Sequence, residues 1–124
     1  MLTMLIDDNS IDLFLNQRLL EVGGFQTEFI TFPLATEALE HLKEQFQRGE
    51  KLPQVIILDI QMPIMNGFEF LEGLKKMFPE DCPFKVFLLS STIHPGDLKR
   101  ASSFQPMAHL LDKPLNVEKI KALL

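Results

Sequence analysis

The chain reads as a doubly wound α/β domain, and three observations carry that prediction. Five short apolar runs alternate with five stretches whose apolar residues recur at helical spacing. One of those runs, Val55-Ile56-Ile57-Leu58, shows no polar alternation, as expected for a strand covered on both faces. Polar and charged residues follow the apolar runs directly: Asp7-Asp8, Asp59, Ser90 and Lys113. Strands alternating with amphipathic helices imply a mostly parallel sheet with right-handed crossovers, and such a sheet gathers its strand ends at one carboxyl edge, where ligands bind. A length of 124 residues suits a single domain spanning residues 1–124.

The first run, residues 1–6, delivers Asp7-Asp8-Asn9 to its end. Ile11, Phe14, Leu15, Leu19 and Val22 then mark the core face of a first helix, with Asn9 or Ser10 as N-cap and Gly23-Gly24 as stop. Residues 27–32 are β-branched and aromatic but include Glu28, which suits an edge strand. Ala35, Ala38, Leu39, Leu42 and Phe46 form the second helical stripe, between Pro33 and Gly49. After the strand ending at Asp59, Asn66 and Glu69 have the spacing of a capping box, and Phe68, Leu71, Leu74 and Phe78 follow as a core face until Pro79. Residues 86–89 are a fourth buried strand, leading to Ser90-Ser91-Thr92. Pro95-Gly96-Asp97 turn into a weak, polar helix at residues 98–103. Leu110-Leu111 lie in a short last strand before Asp112-Lys113-Pro114, and Asn116 caps a final helix through Val117, Ile120, Leu123 and Leu124.

Composition narrows the function. Apolar residues make up 46% and charged residues 23%, which excludes a disordered chain. A net charge of -5, with no basic cluster longer than a pair, argues against direct nucleic-acid binding. Lys75-Lys76 and Lys99-Arg100 read as solvated helix faces. The single cysteine, Cys82, sits in a loop between Asp81 and Pro83, so no intrachain disulfide is expected and a cytoplasmic location fits. No apolar run reaches membrane-spanning length and no leader pattern opens the chain, so a soluble protein with no membrane partner is expected. His41, His94 and His109 fall on separate elements without zinc-ligand spacing. The six Met and eleven Phe read as core, and the lack of Trp and Tyr argues against stacking on a flavin.

The strand ends carry the chemistry. Converging carboxylates from Asp7, Asp8 and Asp59 repel one another and raise each other's pKa unless a cation intervenes, and hard oxygen ligands suit Mg²⁺. Lys113 supplies a point charge and Ser90 a neutral donor, the groups needed to hold a phosphoryl group. Asp59 is then the candidate nucleophile. Read one at a time, the same residues are ordinary: Asp7, Asp8 and Asn9 can cap a helix, Lys113 can lie along the surface, and Ser90 can belong to a polar loop. Their coincidence at one edge favours a single phosphoryl site.

With the acidic pair Asp7-Asp8, the segment LDIQMPIMNG around Asp59, Ser90 after the fourth strand and Lys113-Pro114 after the fifth, the chain resembles a response-regulator receiver domain over essentially its whole length. The resemblance implies a flavodoxin-like five-stranded parallel sheet in order 2-1-3-4-5. It implies phosphorylation of Asp59, with Mg²⁺ held by Asp8, Asp59 and the backbone carbonyl of Gln61, and Asp7 nearby acting through water. It also implies a cis Lys113-Pro114 bond aiming the ammonium at the acyl phosphate, and a donor phosphohistidine on a histidine kinase or a histidine phosphotransfer protein. Three positions depart from the family's pattern: Ser90 stands for the commoner Thr, Asn66 for Asp, and Leu110 for the Phe or Tyr usual three residues before the lysine.

Two other classes compete. A phosphatase of the haloacid-dehalogenase type also phosphorylates a strand-end Asp, but it resembles an Asp-x-Asp motif, and Gln61 in the second position lacks the general acid. A degenerate receiver that only binds partners is expected to have lost the acidic pair, Ser90 or Lys113, all of which remain. The position of Gln61, two residues after Asp59, predicts an influence on acyl-phosphate lifetime. With the switch residues read as Ser90 and Leu110, and no ring at Leu110, the weak helix after Pro95 is the expected bistable element: residues 91–103 should reorder on phosphorylation more than His109 and Leu110.

Overall fold

A computed structural model describes residues 1–80 and 82–124; Asp81, one flank of the Cys82 loop, lies outside the described residues. The elements are β1 (Leu2–Ile6), α1 (Ser10–Val22), β2 (Glu28–Phe32), α2 (Ala35–Gln47), β3 (Val55–Asp59), α3 (Gly67–Met77), β4 (Lys85–Ser90), α4 (Pro95–Ser102), β5 (Ala108–Asp112) and α5 (Val117–Leu123). All strands are parallel, in the order β2-β1-β3-β4-β5, as the resemblance implies.

Strand side chains alternate between faces, and the two faces make two cores. Met4, Ile6, Ile56, Leu58, Val86 and Leu88 pack against α2, α3 and α4, through Ala38, Leu42, Phe70, Leu74 and Ala101 among others. Leu5, Val55, Ile57, Phe87 and Leu89 pack on the other side against Leu20 of α1 and Ile120 of α5. The Asp59 strand is central and its four aliphatic residues are fully covered, which is why it needs no polar alternation. β2 is an edge strand, as Glu28 suggests.

The helix starts follow the capping residues. Asn9 Oδ1 accepts from the backbone N–H groups of Ile11 and Asp12. Asn66 and Glu69 form the reciprocal capping box of α3, and Asn116 Oδ1 accepts from Lys119 N. Gly67 is required where α3 begins: a Cβ there would lie 2.9 Å from Leu88 Cδ2 and 3.0 Å from Ile60 Cα. That close approach seats the helix start against the strand that carries Asp59.

Three sequence expectations are corrected, on α1, Phe46 and the start of α4, and one, on the exposed Arg100 and Lys75, is extended. The core face of α1 is not Ile11, Phe14, Leu15 and Val22. Ile11, Phe14 and Val22 are 73%, 68% and 79% exposed, whereas Asn16 and Leu20 are buried and Leu13 and Leu19 pack partly against the core. This helix carries two apolar stripes; periodicity finds both, but only contact with β1 and α5 decides which turns inward. Phe46, expected in the core, is 49% exposed, with its ring against that of Phe78 at 4.7 Å between centroids. Arg100 is not merely a solvated residue: its guanidinium bonds Glu72 of α3 at 3.1 Å and lies 4.6 Å from the centroid of the Phe68 ring. Lys75 likewise stands over Phe104. α4 begins at Pro95, so Pro95-Gly96-Asp97 form its first turn, with Asp97 accepting from His94 N. Among the described residues no helix is long and apolar enough to cross a membrane.

Candidate functional site

The parallel sheet brings Asp7, Asp59, Ser90 and Asp112-Lys113 to one edge, with Ser90 in register with Asp112 and Asp59 with Leu89. Oxygens of Asp7, Asp8 and Asp59 lie within 4.8 Å of one another. Lys113 reaches into this group: its Nζ is 3.2 Å from Asp59 Oδ2, 3.6 Å from Asp12 Oδ2 and 4.0 Å from Asp7 Oδ2. The Lys113-Pro114 bond is cis. Gln61 donates its backbone N–H to Asp59 Oδ1 at 3.2 Å, and its side chain is exposed.

The electrostatics follow from burial. Asp7 is 2% exposed, and burial pushes its carboxyl up to about 6; the charges of Asp59 and Asp12 add to the rise, while a hydrogen bond from Asn9 N and the Lys113 ammonium oppose it. For Lys113, partial burial disfavours the charge, but Asp59, Asp7 and Asp12 outweigh it and hold the ammonium's pKa above its ordinary value. The lysine therefore stays protonated at neutral pH.

Ser90 is buried, but its hydroxyl faces its own loop. Oγ donates to Thr92 O at 2.7 Å and accepts from Thr92 N at 3.2 Å. Leu110 is half-buried and lines a 160 Å³ cleft with Leu98, Ala101 and Leu123. The residue that sequence reasoning missed is Asp12. Its signal is one of position: it lies four residues beyond Asp8, in the first turn of the helix whose start abuts the acidic edge.

This arrangement defines a class: a response regulator receiver domain, whose family model matches residues 3–124. The chain belongs to that family, a signalling domain of two-component systems. It is 37% identical to a response regulator receiver protein of Dyadobacter fermentans, whose crystal structure superposes with a TM-score of 0.82 over 99% of this chain and 94% of that one. A two-component response regulator from Cytophaga hutchinsonii gives a TM-score of 0.82 at 29% identity, covering 98% of this chain and 92% of the other. Hybrid signal transduction histidine kinase C of Dictyostelium discoideum is 34% identical over 74% of this chain, and the match spans only 7% of that kinase.

Proposed function

We propose that the chain is a phosphoacceptor receiver, taking a phosphoryl group from a phosphohistidine onto Asp59 and changing its binding surface in response. The observation that carries this reading is the 3.2 Å contact between the Lys113 ammonium and Asp59 Oδ2 beside two further carboxylates. In the transfer, an Asp59 oxygen forms a bond to phosphorus as the donor's N–P bond breaks, and the imidazole leaves with the electron pair. Lys113, already at the acceptor oxygen, neutralises charge on the phosphoryl group, and Ser90 offers a hydroxyl once released from Thr92.

The hard-oxygen set of Asp7, Asp8 and Asp59 fits Mg²⁺, with Asp8, Asp59 and the Gln61 carbonyl as the proposed ligands and Asp7 in support. When bound, Mg²⁺ would supply charge neutralisation for the transferring phosphoryl oxygens. A histidine kinase or histidine phosphotransfer protein is the proposed donor. The unburied Ile11, Phe14 and Leu15 on α1, beside Asp12, give such a partner an apolar face to cover. A cytoplasmic location, and output through protein contacts rather than nucleic acid, complete the proposal.

Incubation with acetyl phosphate and Mg²⁺, read by intact mass, tests it. Wild type should gain one phosphoryl group and Asp59→Asn none, with its fold unchanged. Labelling of Asp59→Asn at the wild-type rate would place the acceptor elsewhere. No labelling of wild type would favour a binding-only domain, and turnover of generic phosphate esters a phosphatase.

A further inference from the structure

Asp12 is a carboxylate in contact with Lys113 that the phosphoacceptor reading does not use. It touches the same ammonium as Asp59, 3.6 Å from Lys113 Nζ against 3.2 Å. Asp12 and Lys113 also share a 260 Å³ cleft between α1 and the β5–α5 loop, whose other lining residues are Leu15, Asn16, Pro114 and Leu115. All four are uncharged, so Asp12 is the negative charge among the cleft's lining residues, set beside the Lys113 ammonium. A first-turn carboxylate also complements the helix dipole. That role explains a negative residue at Asp12 but not its contact with a lysine from the β5–α5 loop.

We propose that Asp12 is a specificity-determining residue that disfavours free, highly charged phosphodonors at Asp59. The inference rests on the phosphoacceptor reading. Two effects of the same sign follow from the geometry. Asp12 occupies one direction of the Lys113 ammonium that a phosphoryl oxygen would otherwise take, and its charge repels an approaching anion. The repulsion grows with the donor's charge, so it weighs more on a small dianion than on a less charged donor. With acetyl phosphate, the Asp59–phosphorus bond forms as the bond from phosphorus to the acetate oxygen breaks, and acetate leaves with the electron pair. With phosphoramidate, which is less negative at neutral pH, the P–N bond breaks and ammonia leaves.

The test compares wild type, Asp12→Asn and Asp12→Glu at saturating Mg²⁺, with both donors, at low and high ionic strength. Intact-mass kinetics serve as readout, since the chain has no Trp or Tyr to report by fluorescence. Asp12→Asn keeps the side-chain shape and the backbone N–H bonded to Asn9, so the cap survives. It should speed labelling by acetyl phosphate about three- to tenfold at low salt, the scale of Coulomb interactions at a few ångströms in a solvated site. The gain should shrink in high salt, where exposed charges are screened, and should be smaller with phosphoramidate. Asp12→Glu, which restores the charge, should return the rate toward wild type. An unchanged or slower Asp12→Asn would overturn the inference, as would a gain equal for both donors and indifferent to salt. Failure of wild type to label with either donor would instead remove the phosphoacceptor reading, and the role of Asp12 with it.

Discussion

Two cations tie helices of this domain to their surroundings, and they do it differently. Lys113 stands among three carboxylates at the sheet edge, one of them buried. Arg100 holds α4 to α3 through one carboxylate and one ring, and both partners of that ion pair are about half exposed. Exposed pairs of this kind contribute about 0–1 kcal/mol, and α4 adds little to them, since among its described residues only Ala101 is buried. The difference teaches where this fold concentrates electrostatic energy and where it can move cheaply. Charge is concentrated at the acidic edge, whereas α4 is held by a half-exposed ion pair, a ring contact and one buried side chain.

The largest test of that contrast is Asp8→Ala. If the three carboxylates form the cation site, Mg²⁺ affinity should fall more than about tenfold, since a ligand charge is lost. The metal-free fold should be no less stable, because like charges are relieved. Isothermal titration with Mg²⁺ and urea unfolding in EDTA measure the two, and undiminished affinity would remove Asp8 from the site.

A second test is pH. Asp7 titrates near 6 in the folded chain against an ordinary value of 3.8. A carboxyl that binds its proton more tightly when folded stabilises the fold when protonated. That contribution is full below about pH 3.8 and is lost as pH rises through about 6. Its size is on the order of 2–3 kcal/mol, at about 1.4 kcal/mol per pKa unit. Unfolding in EDTA between pH 4 and 7 should therefore show wild type losing stability relative to Asp7→Asn; parallel curves would mean the burial of Asp7 has no such cost.

These two regions were unequally legible in the sequence. The meeting of Asp7, Asp8, Asp59 and Lys113 follows from five apolar runs, because a parallel sheet leaves strand ends one edge to share, whereas the strand order is what the family resemblance implies. Side-chain direction is another matter. Ser90 lies where expected, yet its hydroxyl engages Thr92, a local loop geometry that a residue count does not encode. Arg100 read as a surface cation because its partners, Glu72 and Phe68, are on another helix. The inward face of α1 was misread because two stripes fit one period.

A smaller effect is expected at Gln61. Its backbone already holds Asp59 Oδ1, and Ala keeps that bond, so Gln61→Ala isolates the side-chain amide. If the amide orients the water that attacks the acyl phosphate, loss of label after removal of the donor should slow by about threefold, a barrier change of under 1 kcal/mol. An equal or shorter half-life would assign that water to other groups.

The smallest energetic effect, and the most direct test of the contrast, is expected at Arg100. The two bonds between Ser90 Oγ and Thr92 couple the acidic edge to the loop that leads into α4. Recruiting that hydroxyl toward a phosphoryl group on Asp59 must break both, and residues 91–94 would then lose their anchor. Leu110 offers no ring to rotate and no hydroxyl to expose, so β5 provides little differential energy between two states. Among the described residues, Arg100 on Glu72 and Phe68 is the charged tie left between α4 and α3. Replacing it by Ala should cost about 0.5 kcal/mol in global stability, yet it should raise amide exchange selectively across residues 91–103 before any phosphorylation. Beryllofluoride, as the phosphoryl mimic, should produce its largest exchange changes over the same residues in wild type, with His109 and Leu110 changing less. In Arg100→Ala the beryllofluoride-induced difference there should shrink, because the tie is already released. If beryllofluoride instead changes β5 most while residues 91–103 exchange as before, the signal leaves through the sheet, and α4 is not the element that moves.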